Sequence, residues 1–199
     1  MSKLTATVAG VGAAGIGAAM SLDDGYDTII TKTGATGKVL QELNDVADDI
    51  YSSMAVSMED VGIAVGEVNT RFQATGKQLQ DLSEEFLKFA QINGTDLNTS
   101  IDTTDAIMTK FGIDTSRTSN VLGLFTKVGQ DTGISMDTLL NSLQTNGASL
   151  QELGFSLTQS TMLLAQMEAS GVDTTIGITS LKKACLLYTS PSPRDLSTS

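Results

Sequence analysis

The sequence has no histidine or tryptophan, a single cysteine (Cys185) and only two prolines among 199 residues. Histidine is the side chain that most often acts as a general base or a metal ligand, so its absence removes the usual starting point for both kinds of site. A lone cysteine excludes an internal disulfide. We therefore expect a protein that is not an enzyme, with no cofactor and with no catalytic, cofactor-binding or metal-binding residues.

Positive charge and aromatic side chains are also scarce. The chain carries 12 Lys and Arg against 23 Asp and Glu, a formal net charge of −11, and only 5% aromatic residues. An acidic surface repels phosphate backbones, so direct nucleic-acid binding is not expected. Hydrophobic residues make up 40% of the chain, which is enough for a folded core. Proteins are therefore the expected partners.

Residues 185–199 differ from the rest, because they contain the cysteine and both prolines. From Cys185 to Asp195 the sequence is an unbroken translation of a transposon-end adapter used in DNA sequencing. A natural Ser/Pro-rich tail is the alternative that composition allows. We interpret 185–199 as adapter read-through and not native, and we exclude it from fold prediction. The reading frame is then expected to be cut near Ala184, with Met1 an internal or miscalled start.

The remaining residues contain no proline, and proline is the strongest helix breaker. Apolar residues recur at spacings of three and four, the pattern of amphipathic helices, and no stretch alternates with a period of two. The sequence therefore predicts an all-α fold, a bundle-like succession of amphipathic helices with no sheet. The predicted apolar stripes run over Val39–Met54, Val61–Phe72, Leu79–Ala90, Leu97–Phe111 and Val121–Val128, with short helices around Leu139–Leu143 and Leu163–Met167; Asp81, Glu84, Glu85 and Lys88 are predicted to face outward from the third stripe.

Short glycine-containing turns are predicted between the later helices. The pattern Gly, apolar residue, then Ser or Asp occurs at Gly112, Gly133, Gly154 and Gly171. Glycine suits the left-handed conformation that ends a helix, and Ser or Asp can cap the next one. Ser156 has a glutamine three residues later, which predicts a capping box.

The segment 1–34 is predicted to be an Ala/Gly-rich, apolar, helical N-terminal part, followed by a helical domain over 35–184. Within it, the uncharged stretch Val8–Met20 is too short to span a bilayer. A closely packed helix is the favoured interpretation. Transient contact with a host membrane through this segment is the alternative.

Two patterns that suggest ligand binding fail on inspection. Gly34–Lys38 resembles a phosphate-binding loop, but Lys32 stands where the motif needs glycine and Val39 where it needs Ser or Thr. A turn leading into a helix is the better interpretation. The carboxylate pairs at 23–24 and 48–49 are interpreted as solvated helix surfaces, since no further oxygen ligands are arranged around them.

Seven segments resemble, in their order and spacing, the conserved region of phage tail tape measure proteins, also described as phage-related minor tail proteins. A stretch before an acidic helix, Thr33–Gly37, is similar as well, so the resemblance covers essentially residues 1–184. No segment is diagnostic alone. The seven segments are Val61–Gly76, Leu82–Ala90, Thr99–Asp102, Gly129–Gly133, Thr145–Ala148, Leu153–Ser156 and Leu181–Ala184.

This resemblance implies a long helical protein that occupies the lumen of the tail tube during assembly, sets tail length and leaves ahead of the DNA. The implied partners are the tail tube protein and the tail assembly chaperones, with self-association as a further expectation. The implied location is the virion tail, and the bacterial host cytoplasm during assembly. The resemblance also implies that this chain is a truncated fragment. The alternative is a small helical protein-interaction module or a membrane-active secreted protein unrelated to phage, which the neighbouring genes would distinguish.

Sequencing the source DNA through codon 184 tests the interpretation of 185–199. We expect the adapter-derived codons to disappear and a helical reading frame to continue. A stop codon soon after Asp195, with no phage genes nearby, would instead show that the segment is native and would favour the interaction module.

Overall fold

A computed structural model describes the backbone of residues 14–189 and the side chains of residues 23–186. Over residues 14–189 the chain forms nine α-helices and no strand, which confirms the predicted all-α fold. Residues 8–13 of the predicted N-terminal helix lie outside the described part. The helices are α1 (Ala14–Thr33), α2 (Gly37–Ser53), α3 (Met58–Phe72), α4 (Gly76–Asn93), α5 (Leu97–Phe111), α6 (Thr118–Thr132), α7 (Met136–Glu152), α8 (Leu157–Ala169) and α9 (Thr174–Thr189), with a short 3-10 turn at Thr115–Arg117 before α6.

The chain divides into two compact units between Leu87 and Lys88, inside α4. The Ala/Gly-rich α1 packs within the first unit. The segment boundaries at 34/35 and 184/185 were drawn from composition and from the adapter match, and they stay predictions. Helix α9 continues as far as Thr189, into the segment interpreted as adapter.

In the first unit α1 lies along α3, and α2 packs against both of them. The core is formed by side chains that are fully buried, among them Ile29 of α1, Ile50 of α2 and Val65 of α3. Phe72 at the end of α3 meets Phe86 of α4, with ring centroids 5.5 Å apart and planes tilted by 45°. Such tilted aromatic pairs are favourable beyond the area they bury.

In the second unit α7 is the central helix, because α5, α6, α8 and α9 all pack against it. Its residues Leu139 and Leu143 are fully buried, together with Ile101 of α5, Phe125 of α6 and Leu164 of α8. Each of these residues lies on the apolar side of an amphipathic helix. Burying a side chain of this size contributes about 1.5–3 kcal/mol, so these contacts are the main source of the unit's stability.

The predicted turns are confirmed. All four glycines have a positive φ: Gly112 at 63°, Gly133 at 73°, Gly154 at 86° and Gly171 at 69°. The residue two positions after each glycine accepts a hydrogen bond from a backbone N–H of the following turn or helix, as predicted for a cap. At Ser156 the capping box with Gln159 is complete.

The same device also occurs where it was not predicted. Gly94, with φ 63°, directly follows the last residue of α4. Asp96 then accepts a hydrogen bond from the Thr99 N–H at the start of α5. Here Thr95 takes the place of the apolar residue, so a search for an apolar central position passes over it. The start and end of these helices are therefore set by nearby residues.

Three details of the helix prediction are wrong. Helices α7 and α8 are longer than predicted, because buried residues continue beyond the predicted stretches, at Asn146 and Leu150 of α7 and at Leu157 and Ser160 of α8. Val39, predicted in an apolar stripe, is 57% exposed because it lies in the first turn of α2, beyond the part that is covered. Glu84 and Glu85 are half-buried where an outward direction was predicted, since α4 is buried over a wide arc that includes its Ser83.

Candidate functional site

The Gly34–Lys38 segment is a turn that leads into α2, as interpreted from the sequence. Gly34 and Gly37 have positive φ, and Lys38 is exposed and pairs with Glu42 at 3.6 Å. Asp23 and the other carboxylates of the two acidic pairs are solvent-exposed. Within the described residues, no three His, Cys, Asp or Glu side chains come together in a group that could hold a metal ion.

An open cleft of about 570 Å³ lies in the second unit, next to the turns at Gly112 and Gly154. Its apolar lining includes Phe111, Leu124 and Phe155. The carboxylate of its lining, Asp114, accepts a hydrogen bond from the Ser116 N–H at 2.9 Å. Hydrogen bonds from Ser116 hold the pKa of Asp114 below its usual value, so the group stays ionised and is a weak proton acceptor.

The most specific geometry of the first unit is the close approach of α1 to α3. A Cβ placed on Gly62 would lie 2.4 Å from the carbonyl oxygen of Gly25, and one on Gly66 would lie 2.7 Å from Cβ of Lys32. A Cβ on Gly25 would meet Met58 at 2.5 Å. We call Gly25, Gly62 and Gly66 the glycine contact. The two backbones touch there because all three residues lack a side chain.

The order of these contacts shows that α1 and α3 run parallel. Gly25 lies against Gly62, and seven residues later Lys32 lies against Gly66 and Glu67. The Thr70 hydroxyl then donates to the backbone carbonyl of Lys32 at 3.2 Å, satisfying a group at the end of α1. Helix α2 provides the return connection between the two parallel helices.

A carboxylate bridges the same two helices. Glu67 is 8% exposed, and its Oε1 accepts from Lys32 Nζ of α1 at 2.6 Å. Its Oε2 accepts from Arg71 Nε, one turn further along α3, at 2.7 Å. A buried carboxylate is costly unless it is both paired and hydrogen-bonded, and Glu67 has both kinds of compensation.

The charges around Glu67 decide its ionisation. Burial alone would raise the pKa of Glu67, but the hydrogen bonds and positive charges of Lys32 and Arg71 outweigh burial and lower the pKa below its usual value. Glu67 is therefore ionised at neutral pH. The bridge between α1 and α3 is fully formed under those conditions.

A second polar link ties α1 to α2. The Tyr26 hydroxyl donates to Asp48 Oδ1 at 2.5 Å. That hydrogen bond, followed by burial and by the negative charges of Asp48, Asp23 and Asp45, raises the pKa of Tyr26 to about 12. The phenol therefore remains protonated and keeps donating throughout the physiological range.

The glycine contact and Glu67 were not predicted from the sequence. A usable signal was present, because Gly62 and Gly66 are four residues apart inside a helix. Glycine in a helix interior costs about 1 kcal/mol relative to alanine, so two of them on one side of a helix indicate close packing. The partner of Glu67 on α1 carries no such signal, since Lys32 is far away in sequence.

We expect Gly62→Ala to destabilise the first unit by about 1–3 kcal/mol, because the added Cβ meets backbone atoms of α1. Gly123→Ala is the matched control, since a Cβ on this helical glycine of α6 meets nothing within 4 Å. It is expected to stabilise by about 0.5–1 kcal/mol. Urea unfolding followed by circular dichroism measures both changes, and equal effects of the same sign would contradict the glycine contact.

We expect Glu67→Gln to lower stability at pH 7 by about 1.5–3 kcal/mol, the size of charge-assisted hydrogen bonds. The folded pKa of Glu67 lies below the unfolded value of about 4.3, so its stabilisation is present above that value. It is lost as the pH falls through the folded pKa, and the difference between parent and variant should shrink there. Unfolding measured from pH 7 to pH 2.5 tests this.

Glu59→Gln is the control for this titration, because Glu59 is an exposed carboxylate on the same helix. It is expected to change stability by no more than about 0.5 kcal/mol at pH 7. A deficit of Glu67→Gln that stayed constant down to pH 2.5 would show that the Glu67 charge is not what links α1 to α3.

No helix of the described residues is both long and apolar enough to cross a membrane.

Comparison with known proteins gives a family match: residues 44–193 match the family described as phage-related minor tail protein. Neither a curated protein nor a solved structure gives a significant match. The matched range includes α3 with Glu67. It ends within residues 185–199, the segment for which sequencing of the source DNA tests whether it is native. Since the match covers well over half of the chain, the protein belongs to the phage-related minor tail protein family.

Proposed function

We propose that this chain is part of a tail tape measure protein, which occupies the lumen of the tail tube during assembly and sets tail length. The family match supports a structural role in the phage tail. The proposal of a tape measure role rests on one observation, the continuous succession of nine helices over residues 14–189, joined by short turns. Extended coil of the same length would have no defined rise, whereas a helix advances 1.5 Å per residue.

The ends of the helices are fixed by residues that are close to them in the sequence, and this supports the proposed role. A chain that works as a ruler must keep its helices when their packing changes. Caps such as Ser156 with Gln159, and glycine turns such as Gly133, depend only on residues within a few positions. In the proposed extended form α1 separates from α3 and the ion pair between Lys32 and Glu67 opens, while the Glu67–Arg71 pair and the hydrogen bonds within each helix remain.

Net charge fits the proposed place in the tail. With a net charge of −11, the chain does not attract DNA, which later passes through the same tube. The proposed partners are therefore proteins: the tail tube protein, the tail assembly chaperones and further copies of this chain. The proposed role is structural, without enzymatic activity, and is carried out in the host cytoplasm during assembly and then in the virion tail.

Changing the length of the gene in a phage that carries it tests this role. Each added in-frame copy of residues 113–133, one turn with α6, should lengthen the tail by about 30 Å at 1.5 Å per residue. Deletion of the same residues should shorten it by the same amount. Tail length is measured by electron microscopy of purified virions.

Gly123→Ala is the control, because it alters the same helix without changing its length. It should leave the tail length unchanged. Infectious particles of unaltered length from both the insertion and the deletion would contradict the tape measure role. A helical protein-interaction module in the tail would then be the better assignment.

A further inference from the structure

The second unit contains a small open cleft, separate from the larger one, that is lined only by residues with polar side chains. Every one of the side chains that line it carries an oxygen atom, and its volume is about 260 Å³. Three exposed threonines and Asn141 form the rim. Ser142, Asn146 and Thr174 form the floor and are each at least nine-tenths buried. We call it the Glu168 cleft, after its single carboxylate.

Hydrogen bonds fix the carboxylate of Glu168 in this cleft. Its Oε1 accepts from the Ser142 hydroxyl and, at 3.3 Å, from the Thr174 hydroxyl. Asn146 Nδ2 donates to the Ser142 carbonyl at 3.2 Å and to Thr174 Oγ1 at 3.4 Å. The Ser142 and Thr174 hydroxyls thus hold Oε1, and among the described residues Oε2 has no hydrogen-bond partner. This oxygen is the acceptor available to a ligand.

The cleft also lacks a balancing positive charge within the described residues. No lysine or arginine lines it or pairs with Glu168, whereas Glu67 of the first unit has two basic partners. One carboxylate surrounded by neutral oxygens complements a single positive charge. A Ca²⁺ site takes 6–8 oxygen ligands and gains affinity from the number of charged ones, so a divalent ion fits poorly.

The cleft is small and open to solvent, which favours a small group over a large one. About 260 Å³ corresponds to roughly nine water molecules at about 30 Å³ each, and it lies below the range of about 300–1,000 Å³ typical of pockets for whole organic ligands. The tip of a side chain therefore fits better than a complete small molecule.

We propose that the Glu168 cleft binds the ammonium group of a lysine side chain supplied by a partner protein. An ammonium group has three N–H donors and no acceptor, which matches a lining rich in oxygen acceptors. Arginine is the poorer match, because its planar guanidinium binds best when both carboxylate oxygens are available, and Oε1 is already occupied. This contact depends only on the geometry of α7, α8 and α9, and not on the tape measure role.

The test uses the ¹⁵N-labelled full chain, titrated with Nα-acetyl-lysine methylamide as the lysine probe. We expect saturable shifts of the backbone amide signals of Ser142, Asn146 and Thr174. The Nε-trimethylated form of the same probe has the same charge but no N–H donors on its side-chain nitrogen, and it should bind at least about tenfold more weakly. Sodium chloride at equal ionic strength should not reproduce the shifts.

Two variants locate the binding. Glu168→Gln keeps an oxygen that can accept from Ser142 and Thr174 but removes the charge, and it should weaken binding at least about tenfold. Thr145→Val removes one rim hydroxyl with little change of shape, and it should weaken binding about two- to fivefold. Glu59→Gln, which removes an exposed charge from the first unit, is the control and should leave affinity unchanged.

Absent shifts, equal binding of the trimethylated probe or unchanged affinity of Glu168→Gln would each overturn the proposal. If Glu168→Gln loses the dispersed spectrum of the folded parent, Thr145→Val decides, and unchanged affinity of that variant overturns it. Tighter binding of free 1,4-diaminobutane than of the lysine probe would overturn the assignment to a protein side chain.

Discussion

Gly62 has no side chain, and in the space where its Cβ would lie the backbone of α1 passes at Gly25. The position of α1 in the first unit depends on this contact. With α1 at that distance from α3, Lys32 comes within 2.6 Å of Glu67, and the Thr70 hydroxyl reaches the Lys32 carbonyl. An added methyl group would push the helices apart and would lengthen all of these hydrogen bonds together. The polar bridge is therefore a consequence of the glycine contact.

The two units hold the carboxylates of Glu67 and Glu168 in different ways. The charge of Glu67 is balanced by Lys32 and Arg71 of its own chain, so Glu67 needs no further partner once the unit has folded. Glu168 is held by neutral hydroxyls and has no basic partner among the described residues. Hydroxyl groups stabilise a carboxylate without cancelling its charge. The first arrangement joins two helices, and the second leaves a charge that a partner protein can use.

The sequence allowed the all-α fold and the glycine turns to be predicted, because both depend on local properties. Helical periodicity and the cap at Ser156 are set by residues within one or two turns. Gly62 and Gly66 indicate close packing of α3, but their partner Gly25 could not be predicted, since it meets Gly62 only after α2 has returned the chain. The Glu168 cleft was missed for another reason: Ser142 and Asn146 are polar, and a search for apolar stripes treats such residues as exposed.

Because α1 and α3 run parallel, the chain enters this helix pair at the start of α1 and leaves it at the far end of α3. Tension applied along the chain therefore pulls the two helices past each other in shear. In an antiparallel hairpin the same force would open the contacts one after another, as a zipper opens. In the parallel pair, the glycine contact and the Lys32–Glu67 ion pair bear the load at the same time. Under tension from its ends the first unit is therefore expected to open in one step, with its helices left intact.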